Sequence, residues 1–422
     1  MNRRGLPFRV KTTPRARALK EAIVACFSFS CGDAKQRLSG FGQADWESAL
    51  WWLDISGMAL YFLDRAQQLN VQSLIAPSVE AALMRRLQKN QIRLRALHQE
   101  AATLAAWFRE GRVAYALLKG ETLTPDSVPN SNLRCQTDID LLVASQNLTL
   151  AIHYVHRLGY TLHAKSGKTL EFRAGAPSLP DLNNLYSVHT QRALELHLLA
   201  DGCHESNMLT RRISRSIAGD GFDTLSPPDI LVQQALHLLK HLCGEHTRLS
   251  WVLEFWQHVR TRRDDVEFWR QVQTNAGQES NGTLAMGIAF WIATRAFGSI
   301  DLPEFPQWRE DTLPPRVRLW LERYVLDLLM SGQVGSKLYA LLRVEIPSPP
   351  SERKSTKRIL FPHYLPARLT TPDPKESVQE QWARLAIEGD FFLRRLHFHV
   401  TEGIRFGLEV ARWKRALIRC GQ

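Results

Sequence analysis

Apolar residues recur every three or four positions from Trp46 to Ala66, and again through Leu83, Leu87, Leu94, Leu97, Leu104 and Phe108 until Gly111. That spacing returns to one helical face and glycine suits a helix end, so both stretches read as amphipathic helices, the second opening near Ser78. From Gly111 to Leu199 the period shortens to two. Short β runs fall at 113–118, 139–143, about 160–163, 169–173 and 193–199, with a helix over 147–158. Ser226-Pro-Pro-Asp229 then starts a second helical section, because Ser caps a helix and proline fits its first turn. Helical periodicity continues through 267–297 and 315–343. A basic, Pro-rich connector over about 346–375 interrupts it, and 376–418 reads as one or two amphipathic helices carrying Arg and Lys.

This pattern divides the chain into five parts. A basic, partly disordered arm spans 1–43, a helical section 44–110, an α/β core 111–205, a helical domain closing a cleft 206–345, and a basic connector with C-terminal helices 346–422. The fold class expected is α+β, a small mixed sheet between helical sections.

Composition narrows the function classes. With 44% hydrophobic and 23% charged residues, a chain of 422 residues can bury a sizeable core. Its 54 basic against 42 acidic residues give a net charge of +12, which favours polyanionic partners such as nucleotides, nucleic acids or anionic surfaces. Six cysteines show no metal-binding spacing and suit reduced thiols in the cytoplasm. No apolar run reaches the roughly 18 residues that span a bilayer. Seven basic side chains precede the first acid, Glu21. Such a segment suits a transit peptide, a nucleic-acid arm or a solvated tail, and a mobile, solvated arm is expected.

The candidate chemistry lies in Arg134-Cys-Gln-Thr-Asp138-Ile-Asp140-Leu-Leu-Val143. On a strand Asp138, Asp140 and Leu142 share one face, while Ile139, Leu141 and Val143 point into a core. Two close carboxylates suit a hard dication such as Mg²⁺, as in phosphoryl-transfer sites. A chance Asp-x-Asp at a strand end is the alternative. Lys119-Gly120 closes the preceding β run. Glu195 and His197 share one face of a later one, where Glu195 is either a third metal ligand or an exposed strand glutamate.

Leu118-Lys119-Gly120, Arg134-x-x-x-Asp138-Ile-Asp140, Leu158-Gly159-Tyr160, Leu194-Glu195-Leu-His197 and His237-x-x-Lys240-His241 occur in an order that resembles the nucleotidyltransferase superfamily of DNA polymerase beta and kanamycin nucleotidyltransferase. More narrowly, the chain resembles an uncharacterised branch of bacterial nucleotidyltransferases over roughly residues 55–260. The resemblance implies a nucleotidyltransferase core and transfer of a nucleoside monophosphate from an NTP, with pyrophosphate leaving. It implies Asp138, Asp140 and Glu195 as catalytic, metal-holding carboxylates for Mg²⁺ or Mn²⁺. Nucleotide contacts would come from Lys119, Gly120, Arg134, His197, His237 and His241. Two departures stand out: Gly120-Glu121 replaces a Gly-Ser or Gly-Gly turn, and Glu254 stands where the narrower branch more often has Asp.

His237 and His241, four residues apart, share a helical face with Gln234. Leu238 follows the first His where a zinc protease needs Glu, so that reaction is excluded. The remaining readings are a half-buried polar stripe, a nucleotide contact or a metal pair, and the resemblance favours a stripe lining the cleft. Tryptophans at 46–52 and basic residues at 353–358 would suit nucleic acid, but equally a core and a solvated face. The acceptor is a small molecule, a protein side chain or an RNA end. The competing class is a non-catalytic nucleotide- or nucleic-acid-binding interaction protein on the same fold.

Overall fold

The computed structural model describes residues 13–28, 30–175, 185–188, 192–198, 208–300, 308, 312–347 and 377–420. Five helices come first: α1 (Pro14–Ala25), α2 (Cys31–Leu38), α3 (Gln43–Ile55), α4 (Ala59–Gln68) and α5 (Pro77–Glu110). Next come β1 (Tyr115–Leu118), β2 (Asp138–Val143), α6 (Leu148–Arg157), β3 (Thr161–Ser166), β4 (Thr169–Ala174), β5 (Arg192–Leu198), β6 (Ile213–Ile217) and β7 (Asp220–Thr224). The second helical part holds α7 (Pro227–Leu242), α8 (Leu249–Thr261), α9 (Val266–Gln278) and α10 (Gly282–Phe297). It continues with α11 (Pro315–Trp320), a π-helical turn at Leu321–Val325, α12 (Leu326–Leu329), α13 (Tyr339–Glu345) and α14 (Val378–Cys420).

The strands form one mixed sheet in the order β3-β4-β5-β2-β1-β7-β6. β2 runs parallel to β5, and β1 parallel to β7, while the other neighbours are antiparallel. Alternation gives the sheet two apolar faces. Tyr115, Leu117, Ile139, Leu141, Val143, Leu194 and Leu196 pack with the second half of α5 and with α6. On the other side Ala116 and Leu142 join a larger core that runs from Leu19 of α1 through α7–α10 to Trp413 of α14. The site-bearing face of the sheet is therefore roofed by helices.

Local chemistry explains the main elements. The Ser226 hydroxyl accepts from the Asp229 amide at the start of α7, as its sequence predicts. In α5, Pro77 occupies the first turn, and Gly111 follows the end where a Cβ would collide with the Tyr154 ring.

Three expectations need correction. The arm expected over 1–43 is helical from Pro14, because Leu19, Ile23 and Val24 make a buried face that the surrounding charges obscure. Those charges are satisfied locally: Arg15 pairs with Asp45, Arg17 with Glu21 and Asp327, and the Lys20 ammonium donates to the Met330 carbonyl. Residues 206–345, expected to be helical, contain β6 and β7. These strands are rich in Ser, Arg and Asp and lack apolar alternation, yet Ala218 and Gly219, both at positive φ, turn the chain between them. The helix expected from Trp46 to Ala66 breaks between Ile55 and Ala59. There Gly57 has φ +75° and lies against the Ser250 side chain. Gly57→Ala should lower stability by more than about 1 kcal/mol, since it adds both backbone strain and overlap; a chemical unfolding midpoint checks this. Residues 1–12 and most of the connector lie outside the described residues.

Candidate active site

The sheet register assembles the site. Asp140 pairs with Leu118 on one side and Glu195 on the other, and Leu142 pairs with His197. Asp138, Asp140, Glu195 and His197 therefore share one face, across two adjacent parallel strands. Lys119 follows β1 with φ +54°, a conformation uncommon for a residue with a side chain. Its ammonium lies 3.0 Å from Asp140 Oδ1. His197 Nε2 lies 2.9 Å from the same oxygen and 3.2 Å from Glu195 Oε2.

Burial raises the cost of each carboxylate charge, but the Lys119 ammonium and the hydrogen bond from His197 hold Asp140 well below the usual carboxylate range. Asp138 goes the other way. Burial and the adjacent Asp140 charge push its carboxyl up to about 6, and it forms no hydrogen bond or ion pair with a described residue. Burial would discharge Lys119 and His197, yet the surrounding carboxylates, Asp140 foremost, together outweigh it and raise both. The site thus sets three carboxylates on one face, with Lys119 and His197 gathered on Asp140.

These residues fit a divalent cation. Asp140, Glu195 and His197 offer ligand atoms within 4.8 Å of one another. Asp138 is not part of that trio, whereas His197, expected at the nucleotide, is. Carboxylate oxygens are the donors that Mg²⁺ and Mn²⁺ prefer, and the two protein cations on Asp140 Oδ1 mark where positive charge is stabilised.

Beside this cluster a cavity of about 280 Å³ lies between the sheet and α7. Lys119, Arg134, His197 and His237 line it, together with Leu118, Leu142, Leu225, Ile230 and Leu236. Burial and the nearby Lys119 charge drive the His237 imidazole well below its ordinary value, so it is neutral. His241 is not a lining residue. Its ring lies 4.4 Å from that of His237, and its Nδ1 contacts the His246 carbonyl in a smaller neighbouring cavity. Gly120 is buried at φ +55°, where a Cβ would strike the Gln136 side chain; it shapes the turn after Lys119. Glu121, the departure in that turn, lies 2.6 Å from His98 Nδ1.

Several cavity residues escaped the sequence reading. Trp251 is one wall, with His237 and His241 against its ring. Lys168 occupies the turn between β3 and β4, and Lys240, named in the sequence only as part of the His237-x-x-Lys240-His241 motif, lies on the α7 wall. Arg134 Nε lies 3.3 Å from Glu254, which also accepts from the Tyr61 hydroxyl at 2.9 Å. Glu254 was noticed only as a departure, and Tyr61 carried no signal.

The family described as "Uncharacterised nucleotidyltransferase" matches residues 42–298, more than half of the sequence, and the chain belongs to that family. It is thus placed among the nucleotide-transferring enzymes. No curated protein matches it. Among solved structures, an antigenic nucleotidyltransferase-like protein from Paracoccidioides brasiliensis is 14% identical over 46% of this chain and 91% of its own, with a TM-score of 0.28. The antibiotic-resistance factor ANT(2'')-Ia is 10% identical over 43% of this chain and 93% of its own, with a TM-score of 0.31. Neither likeness is close enough to transfer a residue role.

Proposed function

We propose that this protein transfers a nucleoside monophosphate from an NTP to an acceptor hydroxyl or other nucleophile in the cytoplasm, with pyrophosphate leaving. Asp138, Asp140 and Glu195 would hold Mg²⁺ or Mn²⁺. When bound, the cation would neutralise phosphate charge and favour attack at the α-phosphorus. Lys119 and Arg134 would balance the remaining phosphate charge, while His197 would hold the orientation of Asp140 and Glu195 and contact the nucleotide. Gly120 shapes the turn that carries Lys119. Neutral His237 offers a hydrogen bond to the nucleotide, and His241 supports it from behind. The acceptor stays open among a small molecule, a protein side chain and an RNA end.

The observation that carries this reading is the unpartnered Asp138 carboxyl beside Asp140, on the face that adjoins the cavity. A non-catalytic binding protein is the second reading. Lys119 and His197 favour it, since together they satisfy Asp140 without an ion.

Thermal unfolding with ATP, CTP, GTP or UTP, with and without Mg²⁺ or Mn²⁺, tests the proposal. At least one triphosphate should stabilise the protein only when metal is present, by about 2.7 kcal/mol at a hundredfold excess over its Kd. Stabilisation unchanged by a chelator would support the binding protein, and no stabilisation by any triphosphate would remove both readings.

A further inference from the structure

The long C-terminal helix α14 has two apolar faces. One packs on the helical domain: Phe406 and Trp413 are buried, Glu402 accepts from the Ser336 hydroxyl, and the Trp413 ring lies 6.1 Å from that of Tyr324. The other is bare. Trp382, Leu393, Leu396, Val400, Ile404 and Leu408 are 69%, 64%, 50%, 52%, 63% and 66% exposed. Most are spaced three or four residues apart, and they make a continuous stripe on the side away from the domain. Scattered exposed apolar residues need no explanation, but a stripe of this length does.

Charge selects what covers it. Arg394, Arg405, Arg412, Arg415 and Arg419 recur at intervals of 11, 7, 3 and 4 residues, which keeps them along one flank of the stripe. The acids lie elsewhere or are neutralised. Glu402 and Glu409 contact Ser336 and Tyr324 and also pair with Arg405 and Arg412, Glu388 pairs with Arg384, and Asp390 pairs with Arg394, so the net positive charge of the flank gathers at its C-terminal end. Lys414, Arg415 and Arg419 form no ion pair among the described residues. An antiparallel second copy would set this arginine flank against itself, so that pairing is opposed.

We propose that α14 lays its outward face on an anionic lipid surface, with the apolar stripe in the acyl boundary and the arginines among the headgroups. The arrangement is that of an interfacial helix. It lies on the membrane rather than crossing it, since no described helix is long and apolar enough to span one. A surface-bound enzyme would meet acceptors held at the membrane.

The test floats the full-length protein with phosphatidylcholine vesicles containing or lacking phosphatidylglycerol. It needs neither nucleotide nor turnover, so its outcome is independent of the proposed transfer. Flotation should require phosphatidylglycerol and weaken at least ~tenfold in Arg415→Glu/Arg419→Glu, because each basic residue near an anionic surface contributes to binding. Val400→Asp/Ile404→Asp should abolish it, with the circular dichroism of the exposed-site variant unchanged. Absence of flotation with either vesicle, flotation that survives Val400→Asp/Ile404→Asp, or a lipid-free dimer dissolved by that variant would each overturn the proposal.

Discussion

Asp138→Asn and Asp140→Asn should each reduce nucleotidyl transfer by ~10²-fold or more, yet move stability in opposite directions. Both remove a carboxylate from the proposed metal site, where several kcal/mol of transition-state stabilisation is at stake and each 1.36 kcal/mol is tenfold in rate. Asp140 is buried and holds Lys119 and His197. Its loss leaves a largely buried ammonium short of its partner, so Asp140→Asn should destabilise by about 1–3 kcal/mol. Asp138 has no such partner and suffers repulsion from Asp140. Asp138→Asn should therefore be neutral or stabilising.

The Asp138 carboxyl also has a pH signature. Its folded value, about 6, lies above the ordinary 3.8, so between them the folded state binds more protons than the unfolded one. The protonated form's advantage is fully present below the ordinary value and is lost as pH rises through about 6. Urea unfolding across that window should show wild-type stability falling relative to Asp138→Asn. Saturating Mg²⁺ should shrink the difference by favouring the ionised form. Equal slopes in the two proteins would remove the crowded carboxylate from the account, and undiminished metal-dependent turnover in both variants would remove the site.

How much of this was legible depends on distance along the chain. The shared face of Asp138 and Asp140 follows from a period of two within one strand, and the same argument placed Glu195 with His197. That β5 lies beside β2, bringing Asp140 opposite Glu195, depends on a pairing across more than fifty residues, which no local pattern encodes. The family resemblance supplied that link. β6 and β7 were missed because they are held by pairing with each other, and β7 with β1, rather than by their own apolar alternation. α1 was missed because its basic residues dominate its composition while three aliphatic side chains decide its fate. His237 and His241 share a helix face as their spacing requires, but only the former reaches the cavity, since the ring of His241 is held beside Trp251 and His246.

The contact furthest beyond the reach of sequence gives the largest expected stability effect. Arg134 is held by Glu254, and Glu254 by Tyr61, linking the turn before β2 to α8 and α4. Glu254 raises the Arg134 value against the effect of burial, so the guanidinium stays charged. Glu254→Ala would leave that charge in a poorly solvated place, and stability should fall by about 3–5 kcal/mol in chemical denaturation. Replacing both members, as Arg134→Met/Glu254→Leu, should recover much of the loss, because no buried charge is then stranded. The double variant also separates scaffold from chemistry. Arg134 lines the cavity, so a refolded, stable double variant should bind triphosphate more weakly than the parent. If it binds as tightly, Arg134 is a strut between the sheet and its helical roof, and phosphate charge must be met by Lys119 together with Lys168 or Lys240 on the opposite cavity walls.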